Sequence, residues 1–540
     1  MNASTQTPVS QGTKPTDSAD RVTQWLNRVR REWPVLLPVL LVCGIGQMTY
    51  FAPGSNRSYG YQAGIASFIG WRISQGDVLY VDVWENKGPL HYLINALAVS
   101  LNYRYGVYCF ELLCLVLTAI LMYRIARLFT GLLFSALASS LALGLLTRTL
   151  VGGNLVEEWS MPFQAGAILA AFALILKPQA PFRGRSFGLG LSLMAVLLMR
   201  PNILAFTGIA TLTAMIYLVK THGWGRLGRA SAWAIAGATS LATPVIIYLA
   251  AHGAIKAGLS AAYLDVVHWT YTREQRFNNF MTLLGILRAG GVLVLLALFL
   301  LAVIVWLGVT MRRRHLDAAT GPGPMGWVLL ACVLGLSANM AANQVSGNAD
   351  PNYMMTFVPL LVAPYAWLLE RAHDLLPAHR AAVRSVVAVV VAGALLLTAT
   401  ADRAIPTWWR FTHEMTPQAV QAQEAASLID QVTQPGDRIE VFGLAPTAYY
   451  NSQRASGSPR IYPPMKAFDQ IYALAWRDKM TRDVIERPPE LLLFSAPEVL
   501  EAWITIISPD LAKSFLELLD QHYEIVDNDY GFAAYRLLGG

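Results

Sequence analysis

The run Gly76-Asp77-Val78-Leu79-Tyr80-Val81-Asp82-Val83-Trp84-Glu85-Asn86-Lys87-Gly88-Pro89-Leu90 holds three carboxylates, one ammonium, two aromatic rings and a Gly-Pro breaker between apolar segments. It is too polar to cross a bilayer and too aromatic for an ordinary solvent loop. It suits a membrane surface, where Trp and Tyr rest at headgroup depth and charges stay wet. There the ammonium of Lys87 is suited to gripping a lipid-linked phosphate as a point charge. The competing reading is an interfacial loop whose lysine snorkels.

Further polar groups interrupt the apolar chain at Gly153-Asn154-Leu155-Val156-Glu157-Glu158-Trp159, at Arg200-Pro201-Asn202 and at Asn352-Tyr353. A glutamate doublet could take a proton from a hydroxyl, or could close a helix N-terminus, where the dipole favours negative charge. It is also a candidate ligand for a divalent cation, yet no His/Asp cluster surrounds it and no metal is assigned. Histidines 91, 252 and 268 are scattered, without metal-ligand spacing.

The elements that must position these groups follow from composition. Of 540 residues, 55% are hydrophobic and 14% charged, and apolar runs of about twenty residues recur through the first three quarters. The net charge of +7 is dispersed in short basic clusters between apolar runs, as membrane topology requires and nucleic-acid binding does not. Cys43, Cys109, Cys114 and Cys332 lie in or beside apolar segments without CxxC spacing, so they read as small hydrophobes rather than disulfide or zinc ligands.

Arg28, Arg30 and Arg31 precede the first apolar run, 33–52, and place the N-terminus in the cytoplasm. The charged loop 53–88 then lies outside, and 89–103 is a short juxtamembrane helix on the outer surface. Spans follow at 106–124, 131–147, 160–176, 186–199, 202–219 and 230–251. After an outer polar loop, 252–287, come 289–310, 326–342, 353–370 and 385–401. This makes about eleven spans, with the basic clusters on one side and the acidic and aromatic loops on the other. From 402 the chain loses its spanning runs. Helices at 417–432 and 508–520, buried strands at 438–442 and 490–494, and a closing hairpin of 523–526 with 532–537 predict a small α/β domain on the outer face. No Gly-rich phosphate loop occurs there, so it is expected to cover the site or bind an acceptor.

The order of these parts, with the Tyr80–Leu90, Gly153–Trp159 and Arg200–Asn202 motifs, resembles the GT-C superfamily of membrane glycosyltransferases. The likeness is to the protein O-mannosyltransferase and aminoarabinose transferase branch. The fold expected is a polytopic α-helical membrane protein with three parts. These are a disordered cytoplasmic N-terminus (1–32), a GT-C-like transmembrane domain (33–401) and an extracytoplasmic α/β domain (402–540). The resemblance implies a multi-pass protein of the plasma (inner) membrane. It would move a sugar, with inversion, from a polyprenyl-phosphate donor to a glycan, lipid or protein acceptor on the outer face.

Lys87 would stand at the phosphate leaving group, with Arg200 and Arg273 or Arg276 completing the grip, an arginine fork being matched to phosphate. Glu158 and Glu157 are the leading candidates for the base. Asp82 competes with them, or else holds a turn, and Asp265 comes third. Gln62, Tyr61, Tyr80, Trp84, Asn154 and Tyr353 are expected to line the substrate pocket. The sequence departs from the family in two places. Relatives carry an acidic pair or Asp-x-Gly where this chain has Gln62-Ala63-Gly64, and an amide cannot act as base. Relatives also often show His-Tyr in place of Asn352-Tyr353. The first departure motivates an alternative, a non-catalytic relative that binds lipid-linked sugar or scaffolds an envelope assembly.

Overall fold

The computed structural model describes residues 32–55, 61–150, 152–265, 272–289, 292–314, 323–345, 351–375, 417–443, 446–461 and 470–539. Among them, seven helices are long and apolar enough to cross a membrane: Gly106–Ala126, Leu132–Thr149, Val156–Leu176, Pro201–His222, Trp224–Ala251, Pro324–Asn343 and Pro351–Asp374. An eighth span is counted if the bent pair Glu274–Arg288 and Val292–Gly308 is one.

The difference from about eleven has identifiable sources. The first apolar run ends early as the short helix Trp33–Gly46, and Arg183–Met199 has only 17 residues against the ~20 a span needs. The expected span at 385–401, the basic residues 380 and 384, the 402 boundary and the N-terminal tail 1–31 lie outside the described residues.

Two expected loops contain helices. Tyr61–Ser74 is helical because Ala63, Ile65, Ala66, Phe68 and Ile69 make a face that is buried. Within 252–287, Arg273–Ala289 is helical. Its start is a reciprocal capping box: Gln275 N–H donates to Thr272 Oγ1 at 3.1 Å and Thr272 N–H to Gln275 Oε1 at 2.8 Å, satisfying two otherwise orphaned donors. The short helix Pro89–Leu101 forms where the 89–103 juxtamembrane helix is expected, opened by Pro89 at its first turn, where a missing N–H costs nothing.

The C-terminal residues build a five-stranded sheet, with strands β1 Arg438–Phe442, β2 Ala455–Ser456, β3 Leu491–Phe494, β4 Tyr523–Val526 and β5 Ala533–Leu537 in the order β2-β1-β3-β5-β4. The β2-β1-β3 pairs are parallel; β5 runs antiparallel to β3 and to β4. β3 is buried along its length, as the continuous run Leu-Leu-Leu-Phe requires. The sheet shares one apolar core with the charged first loop, since Ile439, Leu491 and Trp476 cluster with Phe68, Tyr92 and Trp84. A Cβ on Gly64 would overlap Thr447, Tyr103 stacks on Tyr450 at 4.9 Å, and Arg72 Nη1 donates to Ser456 Oγ at 2.8 Å.

Behind that contact, Glu440 of β1 is fully buried. Tyr449 Oη donates to its Oε1 at 2.8 Å and Ser458 N–H to its Oε2 at 2.7 Å. Burial pushes its carboxyl from an ordinary 4.5 up to about 8, with Ser458 and Tyr449 pulling weakly the other way. A folded-state pKa above the unfolded one gives stability that is complete below about 4.5 and is lost as pH rises through about 8. The thermal midpoint of the chain should therefore fall between pH 5 and 8, by up to about 1.4 kcal/mol per pH unit from this one group. Glu440→Gln should flatten that part of the profile; an unchanged profile would contradict the assignment.

Candidate functional site

The backbone ties together the two segments that carry Lys87 and Arg200. Gly88 N–H donates to the carbonyl of Met199 at 2.9 Å, so the two cations flank one hydrogen bond. Gly88 has an ordinary φ of −66°; what it supplies is absence of bulk, because a Cβ would overlap the Leu198 carbonyl. Backbone cannot yield as a side chain can. Gly88→Ala is expected to cost about 1–3 kcal/mol and to weaken phosphate binding by parting the cations. Thermal unfolding and donor titration check both effects.

Each cation is held from behind by a carboxylate. Lys87 Nζ lies 3.1 Å from Glu85 Oε1, and Lys87 N–H donates to Glu85 Oε2 at 2.9 Å. Tyr92 Oη donates to the same Glu85 oxygen. Arg200 Nη1 pairs with Glu157 Oε1, and Asn352 Nδ2 donates to Glu157 Oε2 at 3.1 Å. The guanidinium lies 4.6 Å over the Tyr353 ring, and its Nη2 donates to Tyr353 Oη at 3.0 Å. Side-chain exposure is 14% for both cations and 0% for both carboxylates, so the cation is the more accessible member of each pair. Two fixed cations with charge-compensated backs can bind a phosphate without moving. His91, one helical turn on, is buried; burial first, then the Lys87 ammonium, lower its imidazole from 6.5 to about 3, so it is neutral.

A second group lies deeper. The chain from Gly152 to Asn154 runs left-handed, with φ of 80°, 84° and 51°. Glycine adopts this freely and asparagine more readily than most residues. The close approach of Tyr50 at Gly152 and of Thr49 and Glu111 at Gly153 leaves no room for a Cβ. The turn delivers Asn154 N–H to Glu111 Oε1 and opens helix Val156–Leu176. There Glu158, third in the helix, accepts from Leu155 N–H at 3.5 Å. Glu111 and Glu158 each keep one buried oxygen without a hydrogen-bond partner.

The expected site residues divide accordingly. Lys87, Arg200, Glu157 and Tyr353 come together, and Glu158 adjoins them. Several expected pocket residues make structural contacts. Asn154 is 1% exposed and ties two helices through Ser67 Oγ and Asn95 Oδ1, both at 2.9 Å. Tyr80, at φ 69°, is buried and donates to the Lys87 carbonyl at 2.6 Å. Trp84 is docked on the C-terminal part, its N–H on the Pro459 carbonyl at 2.8 Å and its ring edge-on to Trp476 at 4.1 Å.

Asp82 closes its own turn by accepting from Val78 N–H at 2.8 Å, the structural alternative to a base. Gln62 is half-buried in the first turn of its helix, and Arg276 is exposed on helix Arg273–Ala289. The side chains of Tyr61 and Arg273, like His268, lie outside the described residues. Sequence reading missed Glu85 as the partner of Lys87, Asn352 as a donor to Glu157, and Glu111. Glu111 had a signal, a lone carboxylate in the apolar run 106–126, where an ionisable group is rare without purpose. Among the described residues no group of three His, Cys, Asp or Glu is placed to hold a metal ion.

A family model described as competence-induced protein Ccs4 N-terminal domain matches residues 57–362. No curated protein matches the sequence. Among solved structures, ArnT from Cupriavidus metallidurans bound to undecaprenyl phosphate aligns with a TM-score of 0.60 at 14% identity, over 94% of this chain and 98% of that one. The same protein in the apo state aligns at 0.53 and 15%, over 95% and 98%. At these identities the likeness is one of fold. It is the GT-C fold that the motifs resemble.

Proposed function

As this chain belongs to the family of the competence-induced protein Ccs4 N-terminal domain, and its fold is that of GT-C membrane glycosyltransferases, we propose that it transfers a sugar from a polyprenyl-phosphate donor. The observation that carries this reading is the Lys87–Arg200 pair, two cations fixed by one backbone hydrogen bond and backed by fully buried carboxylates. A cradle of this kind fits a leaving group that gains negative charge. ArnT, whose fold this chain shares, is bound to undecaprenyl phosphate, which supports a lipid-linked donor here.

In the reaction, an acceptor hydroxyl attacks the anomeric carbon from the side opposite the phosphate. The new carbon–oxygen bond forms as the bond to phosphate breaks, and the bonding pair stays on the phosphate beside Lys87 and Arg200. The hydroxyl proton goes to a carboxylate, for which we assign Glu158, whose free oxygen distinguishes it from the ion-paired Glu157. The acceptor is a cell-envelope glycan, glycolipid or protein. The site opens on the outer face of the plasma membrane, with the N-terminus cytoplasmic and the sheet outside, as the basic clusters favour.

One observation favours a second reading, a relative that binds the donor without transferring. Every described carboxylate of the first loop is already committed: Asp77 to Arg72, Asp82 to its turn and Glu85 to Lys87. Transfer of radiolabelled sugar from a panel of polyprenyl-phosphate donors separates the two. Transfer by the wild type and not by Glu158→Gln supports the assignment. Transfer by both removes Glu158 as base, and donor binding without transfer by either establishes the second reading.

A further inference from the structure

A lateral groove of about 770 Å³ runs between helices Gly106–Ala126, Val156–Leu176 and Arg183–Met199. Its position is set by residue spacing. Leu113, Leu117 and Leu121 recur every fourth residue on one helix face, and the far wall is opened by Gly184 and Gly188, where an added Cβ would meet nothing within 4 Å. At one end the lining carries Arg124, Arg127, Lys177 and Arg185, and no acidic side chain lines the groove. Glu157 and Glu158 lie in the first turn of the helix that Lys177 caps at its far end, and Glu111 lies in the second turn of the helix whose last turn holds Arg124. The basic end is thus about 20–30 Å from the acidic cluster, at 1.5 Å per residue.

The cations are arranged rather than scattered. Arg185 Nη1 donates to the carbonyls of Ala173 and Lys177 at 2.9 and 2.8 Å, and Arg127 Nη1 to the Thr130 carbonyl at 2.7 Å. Arg124 lies 3.3 Å from Glu32. The pairing leaves a net excess of positive charge at the mouth of an apolar channel.

We propose that this groove is a second, separate lipid site that takes a glycerophospholipid with an anionic headgroup. Its phosphate sits among Arg124, Arg127, Lys177 and Arg185, and its acyl chains lie along the leucines and glycines. A water-soluble anion would not use the apolar walls. A zwitterionic lipid would bring its own cation to a site already in positive excess, whereas basic pockets between membrane helices suit acidic headgroups. The donor phosphate proposed above belongs at the opposite end of the helices, so the two sites do not compete.

Native mass spectrometry of the detergent-purified full chain, titrated with phosphatidylglycerol or phosphatidylcholine, tests this. Phosphatidylglycerol should be retained at least 10-fold more tightly. The double variant Arg127→Ala/Lys177→Ala should weaken it about 30-fold, at about a factor of five per cation. Gly188→Leu, at a groove-lining position where an added Cβ meets nothing within 4 Å, should lose both lipids while keeping the wild-type thermal midpoint and elution volume. Should the double variant fail to fold, Lys177→Ala alone, expected to lose about 5-fold, and Gly188→Leu carry the test. Equal retention of the two phospholipids, unchanged binding by the variants, or full displacement by added polyprenyl phosphate overturns the proposal.

Discussion

Arg200→Ala should destabilise the protein by about 3–5 kcal/mol, the usual consequence of removing one partner from a buried ion pair. Glu157 is wholly inaccessible and, among the described residues, would keep only Asn352 as a side-chain donor. The Tyr353 ring would also lose the guanidinium that covers it at 4.6 Å, a contact worth up to about 2 kcal/mol when desolvated. The discriminating experiment is Arg200→Ala combined with Glu157→Gln. Neutralising the stranded carboxylate should restore most of the thermal midpoint but none of the donor binding, because the cation is still missing. If Arg200→Ala alone leaves the midpoint unchanged, the pair is not the buried lock described here.

That lock was half legible in the sequence. The motifs announced chemistry at three places: Lys87 stood out by its charge, and Arg200 and Glu157 through the family resemblance of the motifs that hold them. What spacing could not reveal is that they meet, because the link is a hydrogen bond between Gly88 and Met199, residues far apart in the chain whose side chains carry no signal. The same limit applies to Trp84. Beside a membrane an indole reads as an interfacial anchor, yet here it packs on Trp476 of the C-terminal part. The place of Tyr80 was hidden for a different reason: at a left-handed backbone position its hydroxyl donates to the Lys87 carbonyl, and nothing in residue type foretells a positive φ at tyrosine.

Two further differences were readable in principle. Thr272-Arg273-Glu274-Gln275 is a capping-box pattern inside a stretch that composition alone marked as loop, and the structure uses it to start a helix. Glu111 was hidden by its neighbours, because a hydropathy window averages one carboxylate away among leucines. The first-loop helix Tyr61–Ser74 had a helical apolar stripe, but its buried face is covered partly by Tyr449 and Thr447 from the C-terminal part. Local patterns thus identified most elements, while the contacts that turn polar loops into a site come from distant sequence.

Lys87→Ala should weaken donor binding and lower transfer steeply with the fold intact, and this contrast with Arg200 is the sharpest consequence of the geometry. Glu85, the carboxylate left behind, keeps the residue-87 backbone N–H at 2.9 Å and the Tyr92 hydroxyl, neither of which the substitution removes. The ammonium is a detachable part of its own support, and the thermal midpoint should move by no more than about 1–2 kcal/mol of stability. Activity is another matter. Removing one preorganised positive group from the leaving phosphate should lower transfer by roughly 10²–10³-fold, the scale seen when a single transition-state donor is deleted. Lys87→Arg restores the charge but presents a planar fork where a compact ammonium fits against Glu85, so it should recover donor binding more than rate. Glu85→Gln should act in the opposite sense on the lysine, leaving the charge in place but unsteered, so that donor affinity falls less than turnover. Radiolabel transfer and equilibrium donor titration on the three variants separate these outcomes. Full transfer by Lys87→Ala would remove the lysine from the reaction and leave Arg200 as the single cation at the phosphate.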